Sequence, residues 1–335
     1  MCVCEFGVVD GMAIQEIRLT SDAGATASIL TWGATLRDLV VPVAKGNKRR
    51  VVLGYEGIEG YRVNAAYLGS TVGRNCNRIA DGRFALDGES YELDTNDSGK
   101  QHLHGGNIGF SRRNWDIARI SDSSVTLSLI SEDGDQNYPG RVDVLCQYQL
   151  IGNSTLRVSM SGRAYSPTLL NMTHHSYFNL GDGTDIRDHL IQINADFYTP
   201  SDQNLIPTGE ILKVAGTPYD FRSLKRIGDG GVDYDINYVL GGGTEGLVSA
   251  ARLLSPAKDL QLEVFTNEPG MMFYSGFALK QTAPGIAGQK HEANFGLCLE
   301  PQRYPDAANR RHFPSAVSRP GDSYVNISEY RFEPL

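Results

Sequence analysis

The sequence contains no apolar run approaching the ~20 residues that a membrane-spanning helix requires. Its opening, MCVCEFGVVDG, has no basic stretch and meets Glu5 and Asp10 too early for a secretory leader. Cysteine is scarce: five residues, Cys2, Cys4, Cys76, Cys146 and Cys298, form an odd number without disulfide-scaffold spacing. Cys2-Val3-Cys4 has no second pair to complete a zinc or redox motif. Together these absences describe a cytoplasmic protein with reduced thiols and no membrane partner. Positive charge is also short, 31 Lys+Arg against 39 Asp+Glu for a net charge of −8. A phosphate backbone selects a basic face, so nucleic acid is excluded as the main partner; a small, uncharged ligand suits this balance. A long helical stripe is missing, and so is any low-complexity linker. The "GGG" near residue 242 lacks the Lys-Ser/Thr and following helix of a phosphate-binding loop.

What is present is period-2 patterning. RFALDGESYEL (83–93) reads as strand, Asp87-Gly88 turn, strand. SSVTLSLISEDGD, VDVLCQYQLIGNSTLRVSMSG and LQLEVFTNEPGMMFYSGFAL repeat β-type runs broken by Gly, Asn, Asp or Pro. With 37 Gly and 14 Pro punctuating 335 residues, 41% of them hydrophobic, the fold class is all-β, a sandwich or barrel with little helix. PDAANRRHF is expected to make one helical turn starting at Pro305. The Gly-rich piece 228–246 encloses aromatic residues and reads as a strand framed by loops, so residues 1–335 are taken as one domain.

Alternation also sorts the polar residues. In NMTHHSYFNL, read as one strand, Asn171, Thr173, His175, Tyr177 and Asn179 share a polar face, and His174 lies on the largely apolar one. His175 is then the functional candidate, and His174 a packed histidine satisfied by a backbone partner. In NFGLCLEPQ, Gly296, Cys298 and Glu300 share a face opposite Phe295, Leu297 and Leu299. Glu300 precedes Pro301, where a strand is expected to end; a site carboxylate and a solvent-edge carboxylate both fit. DYDINYVL sets Asp235 and Asn237 apart from Tyr234, Ile236 and Tyr238. HLHGG places His102 and His104 on one side of a strand, but no Glu follows at metal-ligand spacing, and no metal is expected. Gly105-Gly106 indicates a tight turn with close backbone approach.

Six separated segments, TVGRNCNRIADGRFALDGESYEL, LHGG, NMTHHSYFNL, TPYDFR, DYDINYVL and LCLEPQRYPDAANRRHFPSAVSRPGDSY, occur in the order found in the galactose mutarotases (aldose 1-epimerases), and the sequence resembles that family from about Tyr55 to Tyr324. The resemblance implies a single large antiparallel β-sandwich with a sugar site in an open cleft and no metal or organic cofactor. It places catalytic roles on Glu300 and His175, and sugar binding on Asn77, Arg78, His104 and Asp235. Gln302 is carried over as a nearby residue that either supports the site from behind or contacts a hydroxyl, and Tyr177, on the face of His175, is taken as the packing aromatic. Departures are His174 where Asn is usual, Ile236 where His is common, Cys76 for Ala, and YSGFALK (274–280) in place of an Asn-containing strand.

The implied chemistry needs one base and one acid that exchange roles, and no nucleophile. Glu300 starts as base and His175 as acid; His104 holds the ring oxygen or aldehyde, and Arg78 stabilises negative charge. The expected partner is a monosaccharide such as D-galactose or D-glucose, handled by a monomer or homodimer. Arg310-Arg311 keeps a hexose-phosphate epimerase as an alternative. A glycosidase using Asp235 and Glu300, and a non-catalytic sugar-binding module, are the more distant ones.

Overall fold

The structure is a computed structural model that describes residues 2–63, 66–181, 185–241 and 246–335. The "GGG" reading falls at 241–243, and residues 242–245 lie outside the described residues.

Three antiparallel sheets hold most of the described strands. A five-stranded sheet runs in chain order from Cys2–Val9 to Lys48–Arg50. The nine-stranded sheet centres on Val142–Ile151, Thr155–Ala164, Tyr324–Pro334 and Leu260–Thr266. Its long strands carry the expected alternation: Val142, Val144, Cys146, Tyr148 and Leu150 are buried while the residues between them are more exposed. The six-stranded sheet runs in the order Tyr177–Phe178, Leu297–Gln302, Gly270–Tyr274, Asp235–Val239, Phe197–Thr199, Leu212–Lys213. One apolar cluster joins all three sheets, from Ile17 and Ile29 through Val144 and Val158 to Leu297, Phe273 and Phe332. That shared core makes the architecture a β-sandwich. The longest described helix is the five-residue Ile58–Arg62.

The six-stranded sheet positions the site. Leu297, Leu299, Phe273, Met271, Ile236 and Tyr238 turn into the common core. Period-2 alternation then sends Cys298, Glu300, Tyr274 and Asp235 to the opposite face. Across the strands, Tyr177 stands opposite Cys298, Cys298 opposite Tyr274, and Tyr274 opposite Asp235.

Several local expectations are met. Arg83–Leu86 and Glu89–Glu92 form the expected hairpin, with Asp87 and Gly88 at φ 53° and 90°, as a two-residue turn of the favoured hand requires. The five cysteines are free, Cys2 and Cys4 exposed and the other three buried. The Gly-rich piece holds the strand Asp235–Val239 as expected. Others are corrected. PDAANRRHF makes only a 3-10 turn over Ala307–Asn309, because Asp306 is left-handed at φ 55° and Pro305 lies before it. NMTHHSYFNL is not one strand. Thr173–His174 pairs with Thr71–Val72, Tyr177–Phe178 pairs with the strand Leu297–Gln302, and His175 with Ser176 link the two. Glu300 is not at a strand end. It lies inside Leu297–Gln302, because Met271 and Gly270 continue the pairing past Pro301.

Candidate active site

A cavity of about 410 Å³ opens over the outer face of the six-stranded sheet. Glu300, Asp235 and Tyr177 line it from the sheet; His175 lines it from the link between two short strands. Asn77, Arg78 and His104 complete the expected set from the paired segments Arg78–Ile79 and His102–Leu103. Gln302 does not line this cavity. It is fully buried, and its Oε1 accepts the Cys76 thiol at 3.1 Å. The side chains of Arg310 and Arg311 are not on the wall either. The Arg310 guanidinium donates to the Pro207 carbonyl at 2.7 Å and pairs with Asp306 at 3.3 Å. Their expected contribution to phosphate binding therefore has no geometric support.

The central pair is His175 Nε2 and Glu300 Oε1, 3.7 Å apart and both buried. Glu300 Oε2 has no hydrogen-bond partner. Burial, with the negative Asp235 nearby, holds the Glu300 carboxyl well above its usual range. Burial pushes His175 down to about 4. Both effects favour a neutral carboxylic acid beside a neutral imidazole over an ion pair. The starting state expected from sequence, a carboxylate facing an imidazolium, differs from this by one proton crossing the gap.

His104 is held differently. The Asn77 N–H donates to His104 Nδ1 at 3.2 Å, and the His104 N–H donates back to the Asn77 carbonyl at 3.1 Å. A backbone N–H can only donate, so Nδ1 carries no proton and His104 presents Nε2–H as a donor. Burial, with His175 and Arg78 nearby, holds its pKa well below the usual value, so it stays neutral. His102 does not share its side. It is fully buried, with Nδ1 on the Asp94 carbonyl at 2.8 Å and Nε2 on the Tyr138 hydroxyl at 2.7 Å. The two diverge because His104 leaves the extended conformation at φ 50°. The turn behind it is as tight as expected: a Cβ on Gly105 would lie 1.7 Å from the Gly73 carbonyl oxygen. Asn77, Tyr67 and Leu205 are also left-handed, at φ 56°, 54° and 59°, so four cavity residues hold a costly backbone state.

Arg78 is clamped by Asp97 at 2.8 Å and reaches Asp235 at 3.8 Å. Burial raises the Asp235 carboxyl, and Arg78 opposes that rise. Tyr67 packs its ring 4.5 Å from His104 and 5.9 Å from His175. Neither Asp97 nor Tyr67 was legible in the sequence, because each reaches the site through a loop without periodicity. Leu205, also on the wall, was missed for the same reason, whereas the Phe277–Lys280 loop falls within the segment 274–280 that the sequence marks as a departure. His174 sits in the core as expected, but its partner is a side chain: Nδ1 lies 3.2 Å from the Tyr148 hydroxyl, which donates to the Ala34 carbonyl.

His175, Cys298 and Glu300 hold donor atoms within 4.8 Å of one another. The imidazole offers Nδ1 to the sulfur and Nε2 to the carboxyl, opposite edges of one ring, and burial holds the thiol protonated. That arrangement suits hydrogen bonding better than a shared metal ion.

The aldose 1-epimerase family profile matches residues 15–331. A solved aldose epimerase homologue from C. elegans superposes with a TM-score of 0.90 at 31% identity, covering 96% of this chain and 99% of that one. The aldose 1-epimerase of Escherichia coli K12 is 36% identical over 335 residues, 96% of each chain. The galactose mutarotase of Bos taurus is 39% identical over 326 residues, 95% of this chain and 94% of that one. Fold and cavity thus place the protein among the β-sandwich sugar epimerases, which are isomerases. More particularly, the chain belongs to the aldose 1-epimerase family. Among the described residues, no helix is long and apolar enough to cross a membrane.

Proposed function

We propose that this protein interconverts the α- and β-anomers of a free aldose such as D-galactose or D-glucose, with Glu300 and His175 as the exchanging base and acid. The observation that carries the assignment is the buried 3.7 Å approach of Glu300 to His175 in a cavity that opens to solvent. Glu300 takes the proton of the anomeric hydroxyl while His175 Nε2–H protonates the ring oxygen. The C1–O5 bond breaks and the C1 carbonyl forms. After rotation about C1–C2 the same protons return, and the ring closes on its other face.

The burial of the pair supports this cycle. A cyclic sugar, whose anomeric O–H donates to the carboxylate, draws the proton from Glu300 to His175. The open-chain sugar leaves the pair neutral, the state that burial favours, so the buried site lowers the energy of the intermediate. His104 Nε2–H and Arg78 donate to the oxygens that gain negative charge. Asp235 and Asn77 hold hydroxyls, and Tyr177 packs beside the ring.

Polarimetry of freshly dissolved α-D-galactose and α-D-glucose tests the reading. Rotation should decay faster with the protein than without, and Glu300→Gln and His175→Asn should each lower kcat ~10²-fold or more. His174→Asn serves as a control and should stay within a few-fold. Absence of acceleration on every free aldose, with release of reducing sugar from a glycoside or preference for a hexose phosphate, would replace it.

A further inference from the structure

One turn from a distant part of the chain grips the backbone of His175. The His175 N–H donates to the Ser70 carbonyl at 2.9 Å, and the Gly69 N–H donates to the His175 carbonyl at 2.9 Å. The Ser70 N–H closes the turn on the Tyr67 carbonyl at 3.0 Å. Gly69, third of its four residues, has φ 70°, the left-handed state that a type II turn asks of that position. The turn is itself fixed to the strand Thr35–Pro42. The Leu36 N–H donates to the Gly69 carbonyl at 2.8 Å, and a Cβ on Gly69 would lie 2.2 Å from the Leu36 carbonyl oxygen.

The same turn opens with an aromatic ring on the cavity wall. Tyr67 lies 4.5 Å from the His104 ring and 5.9 Å from the His175 ring, and the two imidazoles are 5.3 Å apart at 75°. Three rings from three separate segments therefore meet pairwise. Tyr177 also touches His175, at 5.3 Å, but Tyr67 is the ring that touches both histidines. The polar contacts of the His175 side chain are long by comparison. Glu300 is 3.7 Å away, beyond hydrogen-bond length, and the weakly bonding Cys298 sulfur is 3.6 Å away. Contacts of that length do not hold an imidazole at one angle, so ring packing must.

From this geometry we infer that Tyr67 is a positioning residue, whose ring sets the imidazole of His175 at the angle to His104 that proton transfer requires. The inference rests on His175 being half of the exchanging pair. His104 is the fixed member of the triangle, because its Nδ1 is tied to the Asn77 N–H. Tyr67 lies against that fixed ring and passes its orientation to His175. Both histidines address one sugar, His175 at the ring oxygen and His104 at an oxygen that gains charge, so their relative angle decides whether both hydrogens point at it together. The turn thus controls His175 twice: Gly69 and Ser70 place its backbone, and Tyr67 places its ring. These contacts run through the faces and edges of rings, so the aromatic ring of Tyr67 carries the role and its hydroxyl does not.

Steady-state mutarotation by Tyr67→Ala and Tyr67→Phe, read beside ¹H–¹³C spectra of the imidazoles, tests the assignment. Tyr67→Ala should lower kcat ~10-fold or more with KM within ~3-fold, because the sugar still binds while the acid is out of line. Tyr67→Phe keeps the ring and should recover most of kcat. With the imidazole signals assigned by their loss in His104→Asn and His175→Asn, Tyr67→Ala should shift those of both histidines, and Tyr67→Phe should restore them. A Tyr67→Ala protein whose KM rises while kcat holds would make Tyr67 a sugar contact and overturn the inference. So would a Tyr67→Phe protein as impaired in kcat as Tyr67→Ala, since the hydroxyl would then carry the role. If Tyr67→Ala does not fold, Tyr67→Leu takes its place with the same expectations. A wild-type protein inactive on every aldose would instead sink the mutarotase reading, and the imidazole shifts alone would then decide whether Tyr67 orders the two rings.

Discussion

A carboxyl and an imidazole 3.7 Å apart, both out of water, titrate as a pair. His175 is depressed to about 4, so it takes a second proton only below that value. Glu300 is raised by burial and by Asp235, so the pair keeps its one proton to a pH above the ordinary carboxylate range. Activity should fall when a second proton arrives from the acid side or when the single proton leaves on the alkaline side. The profile of kcat/KM, corrected for solvent-catalysed mutarotation, should therefore be level from about pH 5 toward neutrality, with its acid limb near 4. An acid limb centred near ~6.5, the value of an unperturbed histidine, would contradict this. At this scale the sequence was informative where alternation applied. Parity put Cys298 beside Glu300 on one face of a real strand, whereas it picked His175 over His174 on a strand that in fact breaks between them, and it could not tell a buried Glu300 from a solvent-edge one. The left-handed Asn77, Tyr67 and His104 were not legible as such, because no local pattern marks a non-glycine residue that tertiary contacts force to positive φ.

Elements in this protein bring residues together mainly by ending early. His175 reaches the cavity because the expected strand breaks after His174 and restarts at Tyr177. His104 reaches it because the strand His102–Leu103 stops and turns through Gly105. Gly105 has φ 85°, and any Cβ there would strike the Gly73 carbonyl at 1.7 Å, so the turn admits glycine alone. Gly105→Ala should cost about 3 kcal/mol or more and weaken sugar binding through His104. Urea unfolding and a sugar titration would check both, and an unchanged midpoint would show that the loop can give way. Hairpins closed by local turns, such as that at Asp87-Gly88, were legible in advance. The break at His175 was not, because it is imposed by Ser70 and Gly69, which bond the His175 backbone from a distant part of the chain.

Across the whole molecule, the accessible surface is 13458 Å² for 36.6 kDa. Area scaling for compact monomeric proteins gives about 13,500 Å² at this mass, which leaves little room for a cleft between separate domains. With one core reaching from Ile17 to Phe332, we propose that residues 1–335 fold as a single unit. The two tryptophans, Trp32 and Trp115, are buried in the first half of the chain. Their fluorescence should follow the same urea transition as far-UV circular dichroism of the whole, and separated midpoints would mean separate units. Composition and periodicity made the all-β class legible, but not the sheet order. Thr155–Ala164 pairs with Tyr324–Pro334 across most of the second half of the chain, a partnership no short window contains. The same strand, Leu297–Gln302, feeds Leu297 and Leu299 to the core and Cys298 and Glu300 to the cavity, whereas Leu205 and the Phe277–Lys280 loop meet the cavity from outside the sheet. For anyone redesigning this protein, part of the cavity wall can therefore be rewritten in loops while the strand that carries Glu300, and the core it closes, is left untouched.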